Sequence, residues 1–171
     1  MARERDRAVS LANDQLAVIT YPYTAGFTGF LSWAKPMIQE GLTDLGVERV
    51  TAVNFRYENR IRHDTNDLDL SSLLKLSLAA PAEARRSAHV HLYWHQVWPE
   101  GRVEVDLDAC PDVSDEEVHL NITAYRPTPS NTLREIEGPI REAHRMARLA
   151  FEELITPAFR DSLNGTAARN E

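Results

Sequence analysis

Apolar and polar side chains alternate through three consecutive segments between His89 and Tyr125, and this constrains the fold more than any other feature of the chain. The segments are His89-Val-His-Leu-Tyr-Trp-His95, Val103-Glu-Val-Asp-Leu-Asp108 and Val118-His-Leu-Asn-Ile-Thr-Ala-Tyr125. Side chains on a strand alternate between faces with period two. Three adjacent strands of this pattern gather Val, Leu, Trp and Ile on one side. The other side carries His89, His91, Tyr93 and His95, then Glu104, Asp106 and Asp108, then His119, Asn121, Thr123 and Tyr125. One face is therefore built for a core. The other is rich enough in imidazole and carboxylate to be a site, a metal cradle or a partner surface.

A chain of 171 residues has the length of one domain with room for a core. Its net charge of -7 argues against broad binding to a nucleic-acid backbone, which needs an excess of Lys and Arg. Arg141, Arg145 and Arg148 read as a solvated helix face. Cys110 is the sole cysteine. It allows no intrachain disulfide, its acidic neighbourhood makes it a poor nucleophile, and a reducing cytoplasmic location is expected. No apolar run approaches the roughly 18 residues of a membrane span, and the charged start, Met-Ala-Arg-Glu-Arg-Asp-Arg, does not read as a secretory signal.

Along the chain, residues 1–10 and 166–171 read as flexible tails around a single domain over 11–165. Leu16 to Thr20 reads as a short buried strand. Apolar residues from Phe27 to Leu45 recur at helical spacing, with Pro36 predicting a kink or a later start near Ser32, and Gly46 a stop. Val50 to Ile61 is a long strand with Val53, Phe55, Tyr57 and Ile61 on one side and Asn54, Arg56, Glu58 and Arg60 on the other. Leu68 to Leu78 predicts a short helix, followed by a link over Pro81 to Ser87. Pro99-Glu-Gly101 and Pro111-Asp-Val-Ser114 predict the turns of the three-strand meander, and Pro127-Thr-Pro-Ser130 its end. Leu133, Ile136, Ile140, Ala143, Ala147, Phe151, Leu154 and Ala158 form one apolar stripe on a long helix. Gly138-Pro139 is expected to interrupt its first turns. Thr156-Pro157 predicts a second break and a short last helix with Phe159 and Leu163 as its buried pair. The fold class expected is α+β: an antiparallel sheet of four to five strands, two main helices packed on one face, the other face polar.

The polar face offers three kinds of chemistry. His89 and His91, two apart on a strand, point the same way about 7 Å apart, so they can converge on a divalent metal. His91 or His119 can act as a base, oriented by Asp106 or Asp108. Thirdly, Glu104, Asp106 and Asp108 in a row repel one another unless cations lie opposite, and Arg56 and Arg60 are suitable counter-charges, which gives a purely ionic lattice. There is no dinucleotide-binding glycine motif, no P-loop, no nucleophile elbow, no His-Glu-x-x-His and no Cys-x-x-Cys. No organic cofactor is implied.

Short motifs, spread over nearly the whole chain, resemble a sporadically distributed bacterial family of uncharacterised proteins. They are Tyr21 to Phe30, Phe55-Arg-Tyr-Glu-Asn-Arg-Ile61, Val105-Asp-Leu-Asp108 and Ala143-His-Arg-Met-Ala-Arg-Leu-Ala-Phe151 followed by Ile155-Thr156. Arg56, Tyr57, Asn59, Ile61, Asp106, Asp108, His144 and Phe151 stand at the matching positions. Val105 takes the place of a Leu in that pattern. The resemblance implies a shorter member with fewer N-terminal strands, and so a sheet edge suited to dimerisation. It names no reaction.

The leading expectation is a non-enzymatic binding or accessory protein that holds a protein partner or a second copy of itself on the polar face. Arg56, Arg60, Tyr93, Asn121, Tyr125 and His144 are its binding residues. The alternative is a small enzyme, of a kind found in secondary metabolism, turning over a small molecule on the same face. In shape alone, an antiparallel sheet with a long C-terminal helix is similar to the SecB-type export chaperones, a reading that requires exposed apolar grooves.

Overall fold

The computed structural model describes residues 6–12, 15–21, 26–62, 70–76, 90–109, 117–132 and 135–167. His89, Cys110, Leu133, the link over Pro81 to Ser87 and the turn over Pro111 to Ser114 lie outside them. The chain is α+β, with six strands and four helices among the described residues. In chain order they are β1 (Asp6–Ala12), β2 (Gln15–Tyr21), α1 (Gly26–Asp44), β3 (Arg49–Arg62), α2 (Leu70–Leu73), β4 (Val90–Trp98), β5 (Gly101–Ala109), β6 (Glu117–Thr132), α3 (Glu137–Leu154) and α4 (Pro157–Ala167). No helix among the described residues is long and apolar enough to cross a membrane.

The described strands form two sheets, a β1–β2 pair and a four-stranded sheet in the order β3-β6-β5-β4. The contacts form two compact units, Met1–Thr51 with Thr128–Pro139 and Ala52–Pro127 with Ile140–Glu171. Residues 6–10, expected as tail, belong to β1, which pairs antiparallel with β2 from Asp6↔Tyr21 to Ala12↔Gln15. The β1 residues Ala8 to Ala12 are uncharged, and the charged stretch before them led to the reading as tail.

In the first unit, α1 runs unbroken through Pro36, without the later start that its missing N–H suggests. Leu31 and Ala34 are its buried residues. Gly46 ends it as predicted. At φ 69° it takes the left-handed conformation that glycine adopts freely. Gly46 N–H then donates to Thr43 O at 2.9 Å and Val47 N–H to Leu42 O at 2.8 Å, satisfying two carbonyls of the last turn. Lys35 Nζ and Glu137 Oε2 form an ion pair at 2.6 Å, with Glu137 in the first turn of α3.

The core of the second unit follows the alternation. Val103, Val105, Leu107 and Ala109 of β5 are 0–2% exposed, and Val118, Leu120, Ile122 and Ala124 of β6 are fully buried. β4 pairs antiparallel with β5 from Val90↔Ala109 to Trp98↔Gly101, leaving Pro99 and Glu100 as the turn. β5 pairs antiparallel with β6 from Arg102↔Tyr125 to Ala109↔Val118. Gly101 is required at this corner, because a Cβ there would overlap the Tyr125 carbonyl oxygen. Asn59 Nδ2 donates to Leu120 O at 3.0 Å, a side-chain pin from β3 to β6.

β6 does not end at the prolines. It pairs with β5 only as far as Tyr125, so Pro127 and Pro129 fall beyond the stretch where β5 would need their N–H groups. Thr128, buried, donates from Oγ1 to Val50 O at 2.9 Å.

Ile140, Ala143, Met146, Ala147, Ala150 and Leu154 are the buried residues of α3. Gly138-Pro139 opens this helix where an interruption was expected, since the first turn has N–H groups with no partner and loses nothing to proline. The short α2 occupies only part of Leu68 to Leu78, and Leu74 forms an isolated antiparallel bridge with Ile155. Thr156 caps α4: its Oγ1 accepts from Phe159 N–H at 3.1 Å and donates to Ser72 O at 2.7 Å. The α3 axis ends before Thr156, so Ala158 leaves the stripe and is exposed. Leu163, expected as half of a buried pair, is 43% exposed.

Candidate functional site

The strand registers set the polar side chains of β4, β5 and β6 into rows across the sheet. His91 stands opposite Asp108, and Asp108 opposite His119. The next rows are Tyr93–Asp106–Asn121, His95–Glu104–Thr123 and Val97–Arg102–Tyr125. Three strands of correct alternation thus deliver His91, His119, Asp106, Asp108, Tyr93, Asn121 and Tyr125 to one continuous face.

Charge on this face is arranged in local pairs. His91 Nε2 and Asp106 Oδ1 are 2.9 Å apart, a diagonal contact between neighbouring rows. Arg102 Nη2 meets Glu104 Oε1 at 2.9 Å, and its guanidinium carbon lies 5.1 Å from the centre of the Tyr125 ring. A cation over an aromatic face is favourable, and here it fixes both side chains at the row's end. These pairs are open to solvent, so each contributes little to stability. Their effect is to order the face.

Arg56 and Arg60 do not act as counter-charges for the β5 carboxylates across a shared ladder. β6 lies between β3 and β5, which separates them by about two strand spacings, roughly 9–10 Å. Arg56 Nε instead pairs with Glu58 Oε1 on its own strand at 3.1 Å. Arg102 and His91 supply the neighbouring cation and donor. Arg102 was missed because the predicted strand began at Val103. Continuing the alternation one residue back, past the turn, finds it.

His144 lies elsewhere. Its ring is 5.1 Å from that of Phe55 and 6.1 Å from that of Tyr57, both edge-on. Phe55 and Tyr57 occupy the side of β3 opposite Arg56 and Arg60, since odd and even positions alternate. Burial, then the nearby Arg148 and Arg141 guanidiniums, pushes the His144 pKa down from 6.5 to about 4. The ring is therefore neutral near pH 7 and acts as an aromatic spacer between strand and helix. The structure does not bring it together with Tyr93, Asn121 and Tyr125.

Among the described residues, no three His, Cys, Asp or Glu side chains converge as a metal-binding group. His89, the proposed partner of His91 in such a site, lies outside them.

Two large apolar side chains interrupt the polar face. Tyr93 is 60% exposed and Val97 82% exposed. Both point outward from β4, which among the described strands lies at the end of the sheet opposite β3. Val97 was not singled out from sequence, although the alternation His91, Tyr93, His95 leads to it directly. Compared with known protein families, with curated proteins and with solved structures, the chain matches none.

Proposed function

We propose that the chain is a non-enzymatic binding protein that holds a protein partner or a second copy of itself on the outward face of β4, β5 and β6. The observation that carries this reading is the exposure of Tyr93 and Val97 beside ordered polar rows. An aromatic and a branched aliphatic side chain, rimmed by hydrogen-bonding groups, form the composition of an interface centre with its polar edge. Asn121, Tyr125 and the Arg102–Glu104 pair supply the rim. In this reading α3 covers the apolar side of the sheet, supported by the contact of His144 with Phe55 and by the buried stripe of α3. The lone cysteine supports a reducing, cytoplasmic setting, and the short motifs support membership of the family they resemble.

Light scattering over about 1–100 μM, joined to hydroxyl-radical footprinting in extract from the native host, tests this reading. Association, or protection of Tyr93 and Tyr125, is expected. A strict monomer whose two tyrosines stay fully reactive in extract overturns it.

The His91–Asp106 contact favours a second reading, a small enzyme in which Asp106 orients His91 as a base. That reading requires His91→Ala to abolish turnover of a small-molecule substrate while leaving the melting temperature nearly unchanged. A divalent metal on His89 and His91 belongs to this reading, and its test is the metal content of untagged protein beside a His89→Ala/His91→Ala control.

A further inference from the structure

The outward face of the four-stranded sheet already holds one arginine, and the groups that hold it recur on that face. Arg102 sits between a carboxylate and an aromatic ring. Glu104 Oε1 lies 2.9 Å from its Nη2, and the Tyr125 ring centre lies 5.1 Å from its guanidinium carbon. A guanidinium suits this pair of neighbours, because it donates to a carboxylate in its plane and stacks on an aromatic with its face.

Two rows along, the same kinds of group stand together with no arginine of their own. Tyr93, Asp106 and Asn121 are in register across β4, β5 and β6. Side chains opposite one another in such a row start about 5 Å apart at Cβ, within reach of one bound group. Tyr93 is 60% exposed. Asp106 is met at Oδ1 by the His91 ring, not by a Lys or Arg, and its side chain stays 42% exposed. A carboxylate accepts about four hydrogen bonds, so Asp106 keeps room for further donors. Asn121 adds a side-chain carbonyl beside it.

Charge over the whole face agrees. Among the described side chains, Glu104, Asp106 and Asp108 stand along β5 against one arginine, Arg102. The chain as a whole carries -7. A surface of this kind repels a second copy and attracts a cationic partner.

We propose that the Tyr93–Asp106–Asn121 row receives an arginine from a basic protein segment, its guanidinium lying on the Tyr93 ring and donating to Asp106. This rests on reading the outward face as a binding surface, and it names the occupant as a cationic protein rather than a second copy. Val97, 82% exposed, gives the segment an apolar contact on the same face. It lies four residues along β4 from Tyr93, about 13 Å, so a segment touching both spans at least four extended residues.

The probe is a short capped peptide of alternating Arg and Thr, compared with one in which citrulline, the neutral counterpart, replaces Arg. Calorimetry at low salt is combined with hydroxyl-radical footprinting of Tyr93. The arginine peptide is expected to bind and protect Tyr93, and the citrulline peptide to bind at least about tenfold more weakly. Asp106→Asn and Tyr93→Leu alter exposed side chains, so the fold, checked by circular dichroism, is expected to persist. Each should weaken binding by at least about fivefold. Glu153→Gln removes an equal charge from an exposed position on α3 and should change binding by no more than about twofold. Equal losses from Asp106→Asn and Glu153→Gln overturn the site, leaving only general attraction to an acidic chain. No binding of the arginine peptide also overturns it. The wider binding face then survives if extract from the native host protects Tyr93 and Tyr125, and falls with it if both stay reactive and the chain is monomeric. Self-association that is lost on Asp106→Asn gives the face to a second copy and overturns the cationic partner.

Discussion

Acid should loosen this fold at one identifiable point, the His144 ring against Phe55 and Tyr57. Its folded pKa, about 4, lies below the ordinary 6.5, so between those values the unfolded chain binds a proton that the folded chain refuses. Stability therefore falls as pH drops from about 6.5 toward 4, and above about pH 7 the group makes no pH-dependent contribution. At about 1.4 kcal/mol per pH unit the interval sets a ceiling of about 3 kcal/mol. The ring is only partly buried, and solvent screening reduces the expected effect to about 1–2 kcal/mol. Replacing His144 with Phe keeps an aromatic ring between the same neighbours and removes the proton site. Urea unfolding of both proteins at pH 7.5, 6.5, 5.5 and 4.5 isolates the difference, because carboxylate titration elsewhere is common to both. The variant should gain about 1–2 kcal/mol on the wild type across this range, with no change above pH 7. A gap that stays flat, or moves in favour of the wild type as pH falls, would refute the assignment of the ring as a buried neutral spacer.

Other consequences concern the joints of the fold. Gly101→Ala forces a Cβ onto the Tyr125 carbonyl, and unfolding in urea should show a loss of about 2–3 kcal/mol. Thr156→Ala removes both the α4 cap and the bond to Ser72 O. It should cost about 1–2 kcal/mol and speed amide exchange in α4, with Thr156→Ser restoring most of both. Lys35→Met breaks a partly exposed ion pair and should cost less than about 1 kcal/mol, with the small difference shrinking in high salt.

What was readable in the sequence was whatever local chemistry decides. Alternation fixed the faces of β4, β5 and β6, and the Gly46 stop and the Thr156-Pro157 cap were each visible in two or three residues. Non-local pairing was not readable. β1 pairs with β2, and the short run Ala8 to Ala12 that follows the charged start gives no sign of that. β6 passes through Pro127 because β5 has already ended, which depends on the register between strands. The registers set Tyr93, Asn121 and Tyr125 on one face with His91 and Asp106, as the alternation implies. The role given to Arg56 and Arg60 failed on strand order, which no periodicity encodes. His144 was given a binding role, but its neighbours Phe55 and Tyr57 make it a packing group.

Hydrogen–deuterium exchange of the β4 peptide, measured at about 1 and 100 μM, tests the central claim most directly. Roughly half the β4 amides face β5 and should exchange slowly at both concentrations. If the outward face of β4, β5 and β6 holds a second copy or a protein partner, the remaining β4 amides should slow at the higher concentration or on adding extract from the native host, while β3 amides do not change. Identical β4 exchange at the two concentrations and in extract, with the chain monomeric throughout, would contradict the claim.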